Sequence, residues 1–282
     1  MTGEYDLAFS LGFSCAGTQA LRYAGLQSVS YPLDWTGSPG LLESVAMIER
    51  DFADWFERGD LVLWDVRIEY GHVSRVYKNV RTGFGFTHEF TNVRPIESAY
   101  DEVRAKYDRR ISRFRHDLAA AKRVLAVYIA DPRRPCPEEG VLAEARRRLE
   151  AKYPNAAFDL VCADEDPSAR APVERTEGTG LTFVGLDYRT MLDGQVMHVC
   201  NFGLLKDYLQ ERIAIVGRDA AEERRKLAVR QRRELASAFG KSRLERWINR
   251  RLCGGFHDVC RYLIRQRLVP GDRPLWFDGD GK

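Results

Sequence analysis

The sequence lacks any apolar run of the roughly 18 to 20 residues needed to cross a bilayer as a helix. Its six cysteines, at 15, 136, 162, 200, 253 and 260, include no CxxC pair and no Cys/His spacing suited to zinc. No Walker loop is present, and Gly83-Phe84-Gly85 lacks the third glycine and strand-to-helix setting of a dinucleotide loop. Internal repeats and low-complexity tracts are also missing. The opening Met1-Thr2-Gly3-Glu4-Tyr5-Asp6 has neither the basic nor the apolar region of a signal peptide. A cytoplasmic protein with reduced thiols is therefore expected, without a disulfide framework, a metal centre or any cofactor. The acidic triplet Asp164-Glu165-Asp166 falls in a polar, Pro-containing stretch and is read as a solvated loop.

What is present describes a globular protein. Of the 282 residues, 44% are hydrophobic and 30% charged, enough for one large domain or a domain with an appendage. The net charge is only +3, but residues 218–251 hold 12 Lys/Arg and 5 Asp/Glu, leaving −4 for the rest. A near-neutral body followed by a basic helical segment is the better description. That segment reads first as a solvated helical pair packed on the body. A second reading docks its basic amphipathic face, with Arg243, Arg246, Arg250 and Arg251 beside Trp247 and Ile248, on an anionic surface. No module for specific nucleic-acid binding accompanies the charge.

Along the chain, Leu7-Ala8-Phe9-Ser10-Leu11 is a short buried strand that ends at Gly12. Ser14 can cap a helix from Cys15 to about Tyr23, which Gly25 stops. The turn-rich loop Tyr31-Pro32-Leu33-Asp34-Trp35 follows, then helical spacing over 40–57. Residues 61–90 alternate like antiparallel strands. A charged helix leads to the strong strand Arg123–Ala130 and its Asp131-Pro132 stop, and then helix and strand alternate. That order predicts at least one parallel βαβ unit.

Cys15 is the residue through which this pattern points to chemistry. The nucleophile in cysteine catalysis is a thiolate, and the N–H groups and dipole of a helix start favour one. Those N–H groups, with that of Cys15 first, can also hold the oxyanion formed when sulfur attacks a carbonyl. Ser14 and Trp35 would border the substrate, and Gly12 would let its backbone approach. Gln19 shares the helical face of Cys15, but its place after the nucleophile argues against an oxyanion role.

Four segments then occur in order: Ser10-Leu11-Gly12-Phe13-Ser14-Cys15, the Tyr31–Trp35 loop, Asp51-Phe52-Ala53-Asp54-Trp55-Phe56, and Phe86-Thr87-His88-Glu89-Phe90. This succession resembles a bacterial family of papain-like cysteine peptidases. Its members carry a Ser-Leu-Gly-x-x-Cys start, a Pro-Phe-Asp-Trp loop and a Ser-x-His-Asp-Phe strand. Here Leu33 replaces the Phe, and Glu89 replaces the acid after the His. The resemblance covers about residues 5 to 200 and implies a papain-like thiol protease site.

His88 is the expected base, since a cysteine hydrolase needs an imidazole to take the thiol proton and return it to the leaving group. Alternation puts it on one face with Phe84, Phe86 and Phe90, in an apolar setting. His198 is the second choice. His72 is placed in a turn, His116 on the charged helix and His257 in the basic tail. Asp131 is the first choice for a third group orienting the imidazole. Asp34 is the alternative, unless it caps local N–H groups instead, and Asp164 is a remoter one.

The expected fold is α+β: a papain-like cysteine hydrolase core with a mixed sheet over 1–215, then a basic helical appendage over 216–282. The expected function is a hydrolase or acyltransferase working through a thioester on a peptide, amide or acyl-bearing small substrate. The rival from another class is a binding or assembly accessory of a surface-polysaccharide pathway that kept the fold without the chemistry. A glycosyltransferase-like reading of the βαβ section is weaker, because it needs an acidic metal motif on a strand end and only the Asp164 loop comes near.

Overall fold

The computed structural model describes residues 2–239, apart from 70–71, 92–93, 132–133, 170, 188–189, 193–194 and 198–201. The fold grows from β2 (Leu7–Ser10), all four of whose residues are buried. A strand covered on both faces reads as a continuous apolar run, as parallel strands do. β2 pairs in parallel with β7 (Arg123–Ile129), β7 with β8 (Ala157–Glu165), and β8 with β10 (Leu181–Leu186). The short β9 (Val173–Thr176) closes that edge antiparallel to β10, inside a stretch expected to be loop throughout.

Successive residues of β7 point to opposite faces and so serve two cores. Val124, Ala126 and Tyr128 join Phe9, Phe114, Leu118, Phe158 and Leu160 on one face. Leu125, Val127 and Ile129 join Ala16, Ala20, Leu21, Leu205 and Tyr208 on the other. The first face is covered by α2 (Leu41–Glu49), α3 (Ile96–Ala120) and α4 (Glu139–Lys152), the second by α1 (Cys15–Tyr23) and α5 (Phe202–Arg212). The result is a mixed α/β arrangement, and β7–α4–β8 is the expected parallel unit.

Between α1 and α3 the chain builds a second, antiparallel sheet in the order β3 (Thr36–Gly37), β6 (Gly85–Thr91), β5 (His72–Asn79), β4 (Leu61–Glu69). His72 thus opens a strand, opposite Glu69, instead of sitting in a turn. The helix expected over 40–57 also ends early. Asp51, Phe52 and Asp54 take φ values of 52°, 61° and 58°, a left-handed backbone that no α-helix continues through. The turn drives Phe52, Trp55 and Phe56 into the core, where Trp55 and Phe56 meet Phe86 and Tyr107 edge-on or tilted.

The second face is finished from far along the chain. β1 (Gly3–Tyr5) pairs in parallel with β11 (Ile213–Ile215), and α6 (Ala220–Phe239) begins against the end of α1. Arg224 donates to the Ala24 carbonyl at 3.2 Å, and Gln231 donates to the Tyr23 hydroxyl at 2.6 Å. Gly25, at φ +82°, makes this docking possible, because a Cβ there would stand 2.4 Å from the Ala220 carbonyl oxygen. The remainder of the proposed appendage, from 240 on, lies outside the described residues. Gly25→Ala is expected to cost about 2 kcal/mol or more, from left-handed strain plus a backbone clash. A urea titration showing wild-type stability would contradict this account of the junction.

Candidate functional site

The site starts at the carboxyl end of β2. Gly12 (φ 91°) and Phe13 (φ 50°) turn the chain sharply from strand into α1. The turn is fastened twice: the Gly12 N–H donates to Ser10 Oγ at 3.2 Å, and the Ser38 N–H donates to the Phe13 carbonyl at 3.2 Å. A Cβ on Gly12 would lie 3.0 Å from Ser38 Cβ. Gly12, expected to admit a substrate backbone, thus also has a packing role within the fold. The missing side chain makes room for Ser38, which in turn bonds Ser44 Oγ at 2.6 Å.

Ser14 caps α1 as expected, its Oγ accepting from the Ala16 N–H at 3.3 Å. Cys15 is the first helical residue and is half-buried. Gln19 Nε2 donates to Cys15 Sγ at 3.5 Å. The one-turn spacing that put Gln19 on this face was legible, but its contact with the sulfur was not anticipated.

One helical turn further, Thr18 Oγ1 donates to the wholly buried Asp34 at 3.0 Å. The same carboxylate accepts from Gln27 Nε2 at 2.6 Å and from the Tyr31 N–H at 2.8 Å. Asp34 thereby ties α1 to the loop before it and to the 3-10 turn Pro32–Trp35. These donors fit the capping role considered for it. Burial outweighs them and pushes the carboxyl up to about 6. The next residue, Trp35, sets its indole N–H on Ser30 Oγ at 3.1 Å, under the Arg22 guanidinium at 5.3 Å. Its ring meets the His88 imidazole edge-on, with centroids 6.4 Å apart. The chain of contacts thus runs from the helix of Cys15, through Asp34 and Trp35, to His88.

His88 itself is exposed, which corrects the apolar setting expected from alternation. The ladder between β5 and β6 shifts: Arg75 faces Phe90 while Tyr77 faces Phe86, so three residues of β6 bulge opposite Val76. A bulge re-aims the side chains that follow. Phe84, Phe86 and Phe90 stay inside, His88 turns out, and Glu89 turns in. Glu89 receives the Tyr107 hydroxyl at 3.1 Å, Arg110 at 3.4 Å, and Lys106 in close contact. The acid after the histidine therefore fastens β6 to α3.

Asp131 is buried just past the end of β7, on the same carboxyl edge of the parallel sheet as Cys15. Arg134 Nε stands 3.5 Å from its carboxylate, while the Arg134 guanidinium also binds the Pro39 carbonyl. Asp164 lies one strand further, in β8. His116 is on α3, whereas His198 and His257 fall outside the described residues. Among the described residues, no helix is long and apolar enough to cross a membrane.

Open α/β sheets bind ligands beyond the carboxyl ends of their parallel strands. Cys15 lies half-buried at such a strand-to-helix turn. The family model described as "Putative papain-like cysteine peptidase (DUF1796)" matches residues 6–165, more than half of the chain, and the chain belongs to that family. Neither the curated proteins nor the solved structures contain a match.

The Asp34 network yields two expected outcomes. Asp34→Ala leaves the Thr18 hydroxyl, one hydrogen of the Gln27 amide and the Tyr31 N–H without this acceptor, and should lower stability by about 3 kcal/mol in denaturant titrations. A buried carboxyl raised from near 4 to about 6 favours the native state in full below pH 4, and loses that contribution as pH rises through 6. The stability of Asp34→Asn relative to wild type should accordingly improve between pH 4 and 7, by up to about 3 kcal/mol. Parallel pH curves for the two proteins would refute the assignment.

Proposed function

We propose that the protein is a cysteine-dependent hydrolase that cleaves a peptide or amide through a thioester on Cys15. The observation that carries this reading is the placement of Cys15 as a half-buried first residue of α1, with an amide N–H donated to its sulfur. Family membership supports the peptidase class.

In this mechanism Sγ attacks the substrate carbonyl carbon while His88 takes the thiol proton. The oxyanion is held by N–H groups at the helix start, with that of Cys15 foremost; the Ala16 N–H is already given to Ser14. Collapse breaks the C–N bond, and His88 returns the proton to the departing amine. Water, deprotonated by the same imidazole, then attacks the thioester and releases the acid and the free thiol. Trp35, in ring contact with His88, is the side chain placed to steady the imidazole and wall the substrate. Asp131 is the acid assigned to orient it, since the bonds of Asp34 go to Thr18, Gln27 and Tyr31. An amine or alcohol in place of water would make the same thioester an acyltransferase intermediate.

At neutral pH, iodoacetamide should label Cys15 in the native protein ahead of Cys136 and Cys162. An activated ester should give a burst of leaving group equal to the enzyme present. Cys15→Ala should abolish the burst, and His88→Ala should slow acylation by about 10²- to 10⁴-fold. Undiminished turnover by Cys15→Ala, measured by mass spectrometry on a peptide mixture, would overturn the proposal.

A further inference from the structure

Two cysteines that this mechanism leaves unused lie against one another. Cys162 sits on β8, wholly buried, facing Tyr128 on one neighbouring strand and Phe183 on the other. Cys136 is half-buried on the irregular stretch between β7 and α4. Their sulfurs are 3.9 Å apart, although 26 residues separate them in sequence. We propose that Cys136 and Cys162 form a thiol pair that a hydroperoxide closes into a disulfide, clamping the segment after Asp131 onto β8.

The geometry gives the two sulfurs different parts. Closing the bond requires the sulfurs to approach from 3.9 Å to about 2.0 Å. β8 is hydrogen-bonded on both sides, so it stays in place. Cys136 lies on the irregular stretch between β7 and α4, where the Arg134 N–H donates to the Asp131 carbonyl, so it is the partner that closes the gap. Cys136 is also the more accessible of the two, so it meets the oxidant. The hydrogen bond with Cys136, and then burial, hold the Cys162 thiol well above the ordinary range, which disfavours it as the first to react.

The chemistry balances in two steps. The Cys136 thiolate attacks one peroxide oxygen, the O–O bond breaks, and an alcohol or water leaves, with Cys136 now a sulfenic acid. The Cys162 sulfur then attacks the Cys136 sulfur, the S–O bond breaks, and the Cys162 proton departs with the hydroxyl as water. Two electrons pass from the thiols to the peroxide, and a dithiol reductant reverses the change.

The segment that would be clamped reaches the proposed nucleophile through bonds already described. Arg134 holds the Pro39 carbonyl, and the adjacent Ser38 holds the Phe13 carbonyl two residues before Cys15. The pair stands independently of the hydrolase reading, because its test does not use activity.

The test treats the full chain with hydrogen peroxide, blocks free thiols, and maps peptides by mass spectrometry with and without dithiothreitol. One reducible cross-link joining Cys136 to Cys162 is expected, together with a higher melting temperature than the reduced protein. Cys136→Ser should lose the cross-link and the gain in melting temperature. Cys162→Ser should lose the cross-link but still carry a sulfenic acid on Cys136 that dimedone traps. Over-oxidation of Cys136 in the wild type without a cross-link would overturn the proposal, as would bonding of either residue to Cys15. A normal ester burst in a protein that fails this test would leave the hydrolase reading standing and remove only the disulfide.

Discussion

The buried Asp34 carboxylate is the constraint on which the site depends. Its three donors come from α1, from the loop at Gln27 and from the backbone of Tyr31, so one side chain fixes three pieces of chain at once. An ionised group out of water is costly unless hydrogen bonds replace its hydration. Burial here still outweighs the donors, which is why the carboxyl is pushed up. The arrangement persists because the 3-10 turn it organises carries Leu33 and Tyr31 into the core. That turn presents Trp35 between the helix of Cys15 and the strand of His88.

A second buried carboxylate does for the antiparallel sheet what Asp34 does for α1. Glu89 meets Tyr107, Arg110 and Lys106 on α3, while Phe86 and Phe90 from the same strand enter the aromatic cluster around Phe56. Two cations and a hydroxyl around one carboxylate stand in for its hydration. The bulge between Phe86 and Phe90 serves both ends. It lets the acid turn inward, and the histidine beside it turns outward toward Trp35.

The two sheets divide the labour. The parallel sheet, gripped from both faces, is the rigid part, and its carboxyl edge gathers Cys15 and Asp131 in turns fastened by Ser10, Ser38 and Arg134. The antiparallel sheet brings in His88 through its short pairing of Thr36 with Phe86. A cysteine hydrolase needs a nucleophile fixed to a rigid frame and a base presented from the side. In the proposed hydrolase reading, the second sheet, inserted between α1 and α3, would present that base.

Much of this could be read from the sequence, where the physics is local. Ser14 before a glycine-punctuated helix fixed the start of α1, because capping is decided within three residues. The continuous apolar run at 124–130 marked a strand buried on both faces, and its spacing to the next strand through a helix marked parallel pairing. The motifs about Cys15, Asp34 and His88 placed the chain in its family. What only the tertiary structure decided are the features that depend on partners distant in the chain. The bulge that exposes His88 breaks a period of two that no single strand reveals. Gly12 serves Ser38, and Gly25 serves Ala220, because a missing Cβ matters only against whatever packs there. The meeting of Cys136 with Cys162 follows from how one strand lies beside a loop, a distance that spacing along the chain does not encode.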